Sequence, residues 1–374
     1  MRKLFWGALL PLVAVCCTSA PALFDQEAFR ASVNGKEVGL YTLQSSDITL
    51  QLTNYGARVV SLWTPDVKGR MENIVVGHAH IDDYLTPPGE RFLGATVGPV
   101  ANRIGNASFT LDGITCQLSA NDHEKNTLHG GFTGVDHLVW DVAEVCDTAI
   151  VLTVELQDGQ EGFPGNRQVR LRYSLSGQDF KVEITALTDK PTPVSFTHHP
   201  FFCLRGQGVD TVEPYWLWLP ASHYIPIDEL SIPTGEVASV EGTPFDFREP
   251  HPIGERIGEE NEQLLNAKGY DHNWCLDGTG NVERACRLWD PQSGRCVEVL
   301  TDQPGLQVYT GNFFDGSETG SNGRRLGFRS SIALEAQNWP DAVNQPSFPS
   351  CILLPGETYS NITIYRFTAS SSIQ

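Results

Sequence analysis

A chain of 374 residues with 40% hydrophobic and 19% charged residues carries enough apolar surface for a sizeable core, which excludes disorder as its default state. Its formal net charge of -19 excludes nucleic acid, anionic membranes and highly phosphorylated ligands as natural partners, because all of these want clustered Lys and Arg. Length alone leaves the domain count open, since large β-sandwiches and barrels run this long as one unit.

At the N-terminus, Arg2 and Lys3 precede an apolar stretch from Leu4 to Val15, followed by the small residues Thr18, Ser19, Ala20 and Ala22. This is the pattern of a secretory signal peptide over residues 1–22, and it predicts an exported, extracellular or periplasmic protein. The apolar run falls short of the ~20 residues that span a bilayer. Beyond the leader, short alternating runs succeed one another: Ile48 to Leu52, Ile150 to Val154, Val169 to Tyr173, Lys181 to Ile184, Cys296 to Leu300 and Asn361 to Tyr365. Period-two alternation rich in β-branched residues predicts strands with one buried face. Turn signals at Asp112-Gly113, Ser176-Gly177, Ser293-Gly294 and Pro355-Gly356 separate them. Helical periodicity is confined to Glu255 through Leu265, enough for one or two turns. The pattern predicts an all-β chain, antiparallel sheets packed as one large β-sandwich over residues 23–374, with no linker to divide it.

Removing the leader leaves Cys116, Cys146, Cys203, Cys275, Cys286, Cys296 and Cys351. An odd set leaves at least one thiol free or paired between chains, and none falls in a CxxC pair that would suggest zinc. Cys286 and Cys296, on neighbouring strands of an expected hairpin, form the candidate bridge. Asn106-Ala107-Ser108 and Asn361-Ile362-Thr363 match the glycosylation acceptor pattern.

Four groups of residues could carry chemistry. Gly98 to Ile104 contains Asn102 and Arg103, and Asn126 to Gly131 contains His129 before a glycine pair. Amide, guanidinium and imidazole donors suit sugar hydroxyls, although Arg103 paired to a core acid and a tight His-Gly-Gly loop fit equally well. Ser195 to Phe202 sets His198 and His199 side by side in an aromatic strand. Strand neighbours point to opposite faces, so paired metal chelation is not expected and one histidine at most faces a given pocket. Gly269 to Trp274 and Gln307 to Asn312 offer Asp271 and Gln307 for vicinal diols, with an Asp271–His272 turn ion pair as the alternative. Ala333 to Asn344 surrounds Glu335 with apolar and amide neighbours, a setting in which a carboxylate can be tuned as a base, and equally that of an ordinary strand-end acid. The chain has no GxSxG elbow, HExxH, P-loop or complete dinucleotide loop, which removes serine hydrolases, zinc proteases, nucleotide enzymes and Rossmann dehydrogenases.

Taken together and in order, Ala101-Asn102-Arg103-Ile104, Leu128-His129-Gly130-Gly131, His199-Pro200-Phe201-Phe202, Asp271-His272-Asn273, Tyr309-Thr310-Gly311-Asn312 and Glu335-Ala336-Gln337-Asn338-Trp339-Pro340-Asp341-Ala342 resemble the aldose 1-epimerase (galactose mutarotase) family. The resemblance extends from about Gly39 to Phe367. It implies the family's large antiparallel β-sandwich and interconversion of the α and β anomers of free hexoses such as D-glucose and D-galactose, with no metal or cofactor. It further implies Glu335 as general base and His199 as general acid, with His129 at the ring or anomeric oxygen. Asn102, Arg103, Asp271 and Gln307 would hold hydroxyls. The chain departs from the family pattern at His198 and Cys203, where Asn is frequent. A hexose-6-phosphate epimerase would want more Arg or Lys at the site, and a silent sugar-binding module would need no acid–base pair.

Overall fold

In the computed structural model, which describes residues 20–208, 211–278 and 280–372, the alternation becomes a pleated sheet with one wet face. The strand Arg167–Ser176 buries every second residue from Arg167 to Leu175, and Asp179–Thr188 and Tyr359–Ala369 repeat the pattern. These strands centre an antiparallel nine-stranded sheet in the order Asp141–Cys146, Ala149–Leu156, Arg167–Ser176, Asp179–Thr188, Tyr359–Ala369, Arg295–Thr301, Glu283–Trp289, Trp216–Trp218 and His251–Pro252. A six-stranded sheet follows the order Phe201–Phe202, Ile332–Gln337, Gly305–Tyr309, Asp271–Cys275, His223–Ile225 and Ala238–Ser239. A four-stranded sheet is built from Leu40–Gln44, Thr49–Thr53, Arg58–Pro65 and Met71–Asn73.

One hydrophobic cluster joins all three, drawing Leu171 and Ile184 from the first sheet, Val308 and Leu334 from the second, and Leu50 and Leu52 from the third. Burying each such side chain is worth about 1.5–3 kcal/mol, so the sheets hold one another face to face as the sandwich predicted from the alternation. The middle strands of the six-stranded sheet are buried on both faces. In Ile332–Gln337 the residues Ile332, Leu334 and Ala336 enter the core, so the pleat turns Ala333, Glu335 and Gln337 to the opposite face. That second buried face carries the polar residues of interest.

The expected helix over Glu255 to Leu265 is shorter and shifted: a 3₁₀ turn at Ile253–Glu255 and an α-helix at Glu262–Ala267. Asn261 sets the start, its side chain accepting from the N–H groups of Gln263 and Leu264. The Cys286–Cys296 bridge does not form, and both thiols are free. The hairpin register sets Val299 opposite Cys286 and Trp289 opposite Cys296, an offset of three residues that sends the two side chains to opposite faces. The Asn361 acceptor pattern is likewise internal, its amide donating to the carbonyls of Phe196 and Ala336 in the core, whereas Asn106 is exposed. The leader lies outside the described residues except for Ala20 to Ala22. No helix among the described residues is long and apolar enough to cross a membrane.

Candidate active site

Strand register assembles the polar face. Asn273 lies opposite Gln307, and Gln307 opposite Glu335, so three adjacent strands present a row of side chains at the ~4.8 Å interstrand spacing. Asp271 extends the row, its Oδ1 accepting from Gln307 Nε2 at 2.7 Å. The short strand Thr197–His199 packs along this edge through the Thr197 hydroxyl, which donates to the Ala336 carbonyl at 2.8 Å. This brings His199 Nε2 to 3.4 Å from Glu335 Oε1, with both side chains buried. His198, one residue earlier, points the other way and packs among the rings of Tyr173, Phe180 and Tyr365, as the opposite-face argument requires.

The opposing wall is a pair of tight turns. Asn102, His129 and Gly130 all adopt positive φ, at 60°, 51° and 90°. The Asn102 N–H donates to His129 Nδ1 at 3.0 Å, and the His129 N–H donates back to the Asn102 carbonyl at 3.0 Å. That first bond fixes the tautomer: with Nδ1 accepting, the neutral ring carries its proton on Nε2. The His129 ring meets His199 edge-on, centroids 5.3 Å apart. Arg103 is anchored by Nε to Asp122 at 3.1 Å. Its carbonyl accepts from the Asp341 N–H at 3.0 Å, tying the Asn102–Arg103 turn to the loop that follows Glu335.

Burial governs the electrostatics. Loss of solvent pushes the Glu335 carboxyl well above the usual carboxylate range, helped by the charges of Asp271 and Glu90 and opposed by Arg103. Burial drives His199 down to about 3, and lowers His129 well below its ordinary value together with His199, Arg103 and Arg91. Asp271 is raised by burial against the pull of Arg103 and Gln307. Burial thus favours the uncharged form of each partner, a protonated Glu335 beside a neutral His199, which leaves the pair one transferable proton. Glu335 Oε2, Gln307 Oε1, Asn273 Oδ1 and His199 Nδ1 are buried with no hydrogen-bond partner among the described residues. An unmet buried polar atom costs about 1–3 kcal/mol, and a polyhydroxylated ligand is of the right chemistry to satisfy these.

Ligating atoms of His129, His199 and Glu335 lie within 4.8 Å of one another, close enough to suggest a metal. The donor set argues otherwise. Because the Asn102 N–H occupies Nδ1 of His129, Nε2 presents a proton rather than a lone pair, and a metal there would force two donors together.

All seven candidates thus come together. Glu335, His199 and His129 form one cluster, while Asn102, Arg103, Asp271 and Gln307 line an adjoining small pocket with Asn273 and Pro340. Of the alternatives, Arg103 does pair with an acid, Asp122, at the pocket's edge. The Asp271–His272 ion pair is absent, since these neighbours point to opposite faces and His272 Nε2 instead meets Gln263 Oε1 at 3.3 Å. A larger groove of about 880 Å³ beside Lys36, Asp141 and Arg170 contains none of the seven. Sequence reading missed Asp122, Glu90 and Phe92. The Phe92 ring caps both imidazoles at 4.5 Å from His129 and 6.1 Å from His199. Gly89-Glu90-Arg91-Phe92 carries no pattern that would have marked it.

Known proteins are similar to this chain along most of its length. The family model described as aldose 1-epimerase matches residues 39–366. The chain is 39% identical over 336 residues to galactose mutarotase of Homo sapiens, covering 90% of this chain and 96% of the relative. It is 35% identical over 342 residues to aldose 1-epimerase of Escherichia coli (strain K12), covering 90% and 97%. Among solved structures, an aldose epimerase homologue from C. elegans superposes with a TM-score of 0.82 at 27% identity, over 89% of this chain and 99% of the other. A galactose 1-epimerase from Lactobacillus acidophilus NCFM gives 0.79 at 29% identity, over 91% and 97%. With the sandwich, the ordered motifs and relatives matched across nearly their whole length, the chain belongs to the aldose 1-epimerase family.

Proposed function

We propose that the protein interconverts the α and β anomers of free hexoses such as D-galactose and D-glucose, with Glu335 and His199 as the proton-transfer pair. The observation that carries this reading is the buried 3.4 Å approach of His199 Nε2 to Glu335 Oε1, beside an imidazole whose Nε2–H is fixed as a donor.

The pair's single proton moves from the Glu335 carboxyl to His199 Nε2, which arms a base and an acid together. Glu335 then takes the proton from the C1 hydroxyl while His199 protonates the ring oxygen, and the C1–O5 bond breaks to leave an open-chain aldehyde. After rotation about C1–C2 the O5 hydroxyl attacks the other face of the carbonyl. His199 recovers its proton from O5 and Glu335 returns one to O1, so the proton count closes. His129 donates to the ring or anomeric oxygen, and Asn102, Arg103, Asp271 and Gln307 hold the remaining hydroxyls. Each proton-transfer residue contributes on the order of 10²–10⁴-fold.

A phosphorylated sugar suits the site poorly. Arg103 is committed to Asp122, and Arg91 and Arg58 both to Asp136, so each of these guanidiniums is already held by a carboxylate. The reading is tested by saturation transfer between the α and β anomeric protons in NMR. Added protein accelerates exchange in D-galactose and leaves methyl α-D-galactoside, which has no C1 hydroxyl proton, unchanged. Exchange of galactose at the buffer rate would refute it. The N-terminal leader pattern supports export, and N-terminal sequencing of secreted material beginning near residue 21 or 23 would test that.

A further inference from the structure

One acidic residue beside the pair has no place in the reaction above. Glu90 begins the turn Glu90-Arg91-Phe92 that leads into the strand Ala95–Val97, and its Oε1 accepts the Phe92 N–H at 2.9 Å. Its own N–H donates to Oε2 of the buried Glu318 at 3.1 Å. Between them, Arg91 grips both carboxyl oxygens of the buried Asp136 at 2.7 and 2.9 Å and sets its guanidinium over the Phe92 ring at 5.0 Å. The turn is pinned at each residue, and what it presents is the Phe92 ring, edge-on to His129 and near-parallel to His199.

We propose, resting on the mutarotase reading, that Glu90 is a positioning residue for the proton-transfer pair: its carboxyl orders the turn that seats Phe92 against His129 and His199. The charged and titratable groups acting on Glu90 are Glu318 and Asp271, which oppose its ionisation, and Arg58, which favours it. Glu335 and Tyr309 in turn feel its charge. Loss of solvent, more than any neighbour, raises Glu90 to about 7. Once Glu90 ionises, its negative charge resists a second one on Glu335. The pair then keeps its proton further into the alkaline range, and an active one-proton pair survives to higher pH.

Glu90→Gln removes the charge and keeps an acceptor for the Phe92 N–H, whereas Glu90→Ala removes both. We expect the alkaline limb of the kcat profile to move to lower pH in both variants, with KM for D-galactose unchanged in Glu90→Gln and kcat further reduced in Glu90→Ala. The coupling is read independently by ¹³C NMR titration of the Glu335 side-chain carboxyl in sugar-free protein, where the midpoint in Glu90→Gln should fall below that of wild type. A Glu90→Ala variant with wild-type kcat, or superimposable Glu335 titrations, would overturn the proposal. A shifted midpoint in a protein that fails to interconvert anomers would uphold the coupling and refute the mutarotase reading instead.

Discussion

Replacing Glu335 by Gln separates chemistry from architecture. The amide has nearly the carboxyl's volume and can turn an N–H to His199 Nε2, which lies 3.4 Å from Glu335 Oε1, but it can neither take the C1 hydroxyl proton nor return it. Loss of one proton-transfer group should lower kcat by about 10²–10⁴-fold, which is about 2.7–5.4 kcal/mol of barrier at 1.36 kcal/mol per tenfold. Stability should move the opposite way. The folded-state pKa of Glu335 lies above its unfolded value, so its protonation contributes stability that is fully present below the unfolded pKa and is lost as pH rises through the folded pKa. A neutral amide has no such loss. Glu335→Gln should therefore melt at or above the wild-type temperature at pH 8, with the gap closing toward pH 4. Polarimetry of freshly dissolved α-D-galactose and thermal unfolding followed by circular dichroism measure the two effects. A variant retaining turnover within threefold of wild type, or one that is inactive because it is unfolded, would refute this reasoning.

Three further outcomes follow from the same geometry. His199→Asn should fold and lose about 10²–10⁴-fold in kcat, and the double variant with Glu335→Gln should lose little more than either single one, because the pair acts as a unit; additive losses in a mutant cycle would contradict that. Activity should fall at low pH as His199, depressed to about 3 by burial, takes a second proton, and at high pH as the raised Glu335 carboxyl releases the pair's only one. A profile that rises steadily through pH 9 would be incompatible with the shared proton. Gly130→Ala should abolish the His129 turn, since its φ is +90° and a Cβ there would lie 2.1 Å from the Gly98 carbonyl oxygen. The expected result is destabilisation of more than about 1 kcal/mol in chemical denaturation, with activity lost alongside, and a variant as stable as wild type would count against the turn geometry.

The strands and the candidate site were legible in the sequence for different reasons. Alternation in runs such as Val169 to Tyr173 is a local signal, and the strand Arg167–Ser176 follows it residue for residue, whereas Cys296 to Leu300, expected to bury one face, lies in a strand buried on both. Doubly buried strands such as Ile332–Gln337 show no clean alternation, and Glu335 was found only through the motif surrounding it. Asp122 and Glu90 escaped because their roles arise at long range. Asp122 matters through Arg103, nineteen residues away, and Glu90 through a backbone N–H and the field of a pocket assembled from strands far downstream. The Cys286–Cys296 bridge failed on register, since a hairpin can be foreseen while the pairing offset that decides which residues face each other is not. Asn261, whose side chain starts the helix three residues before Leu264, was a cap signal present in the sequence and passed over.

The most direct measurement of the central claim is the decay of optical rotation of α-D-galactose and α-D-glucose in phosphate-free buffer, with and without the purified protein. Protein-dependent acceleration to the same final rotation, abolished in Glu335→Gln and His199→Asn, is the predicted result. A folded protein that leaves both decay rates at the buffer value would contradict it.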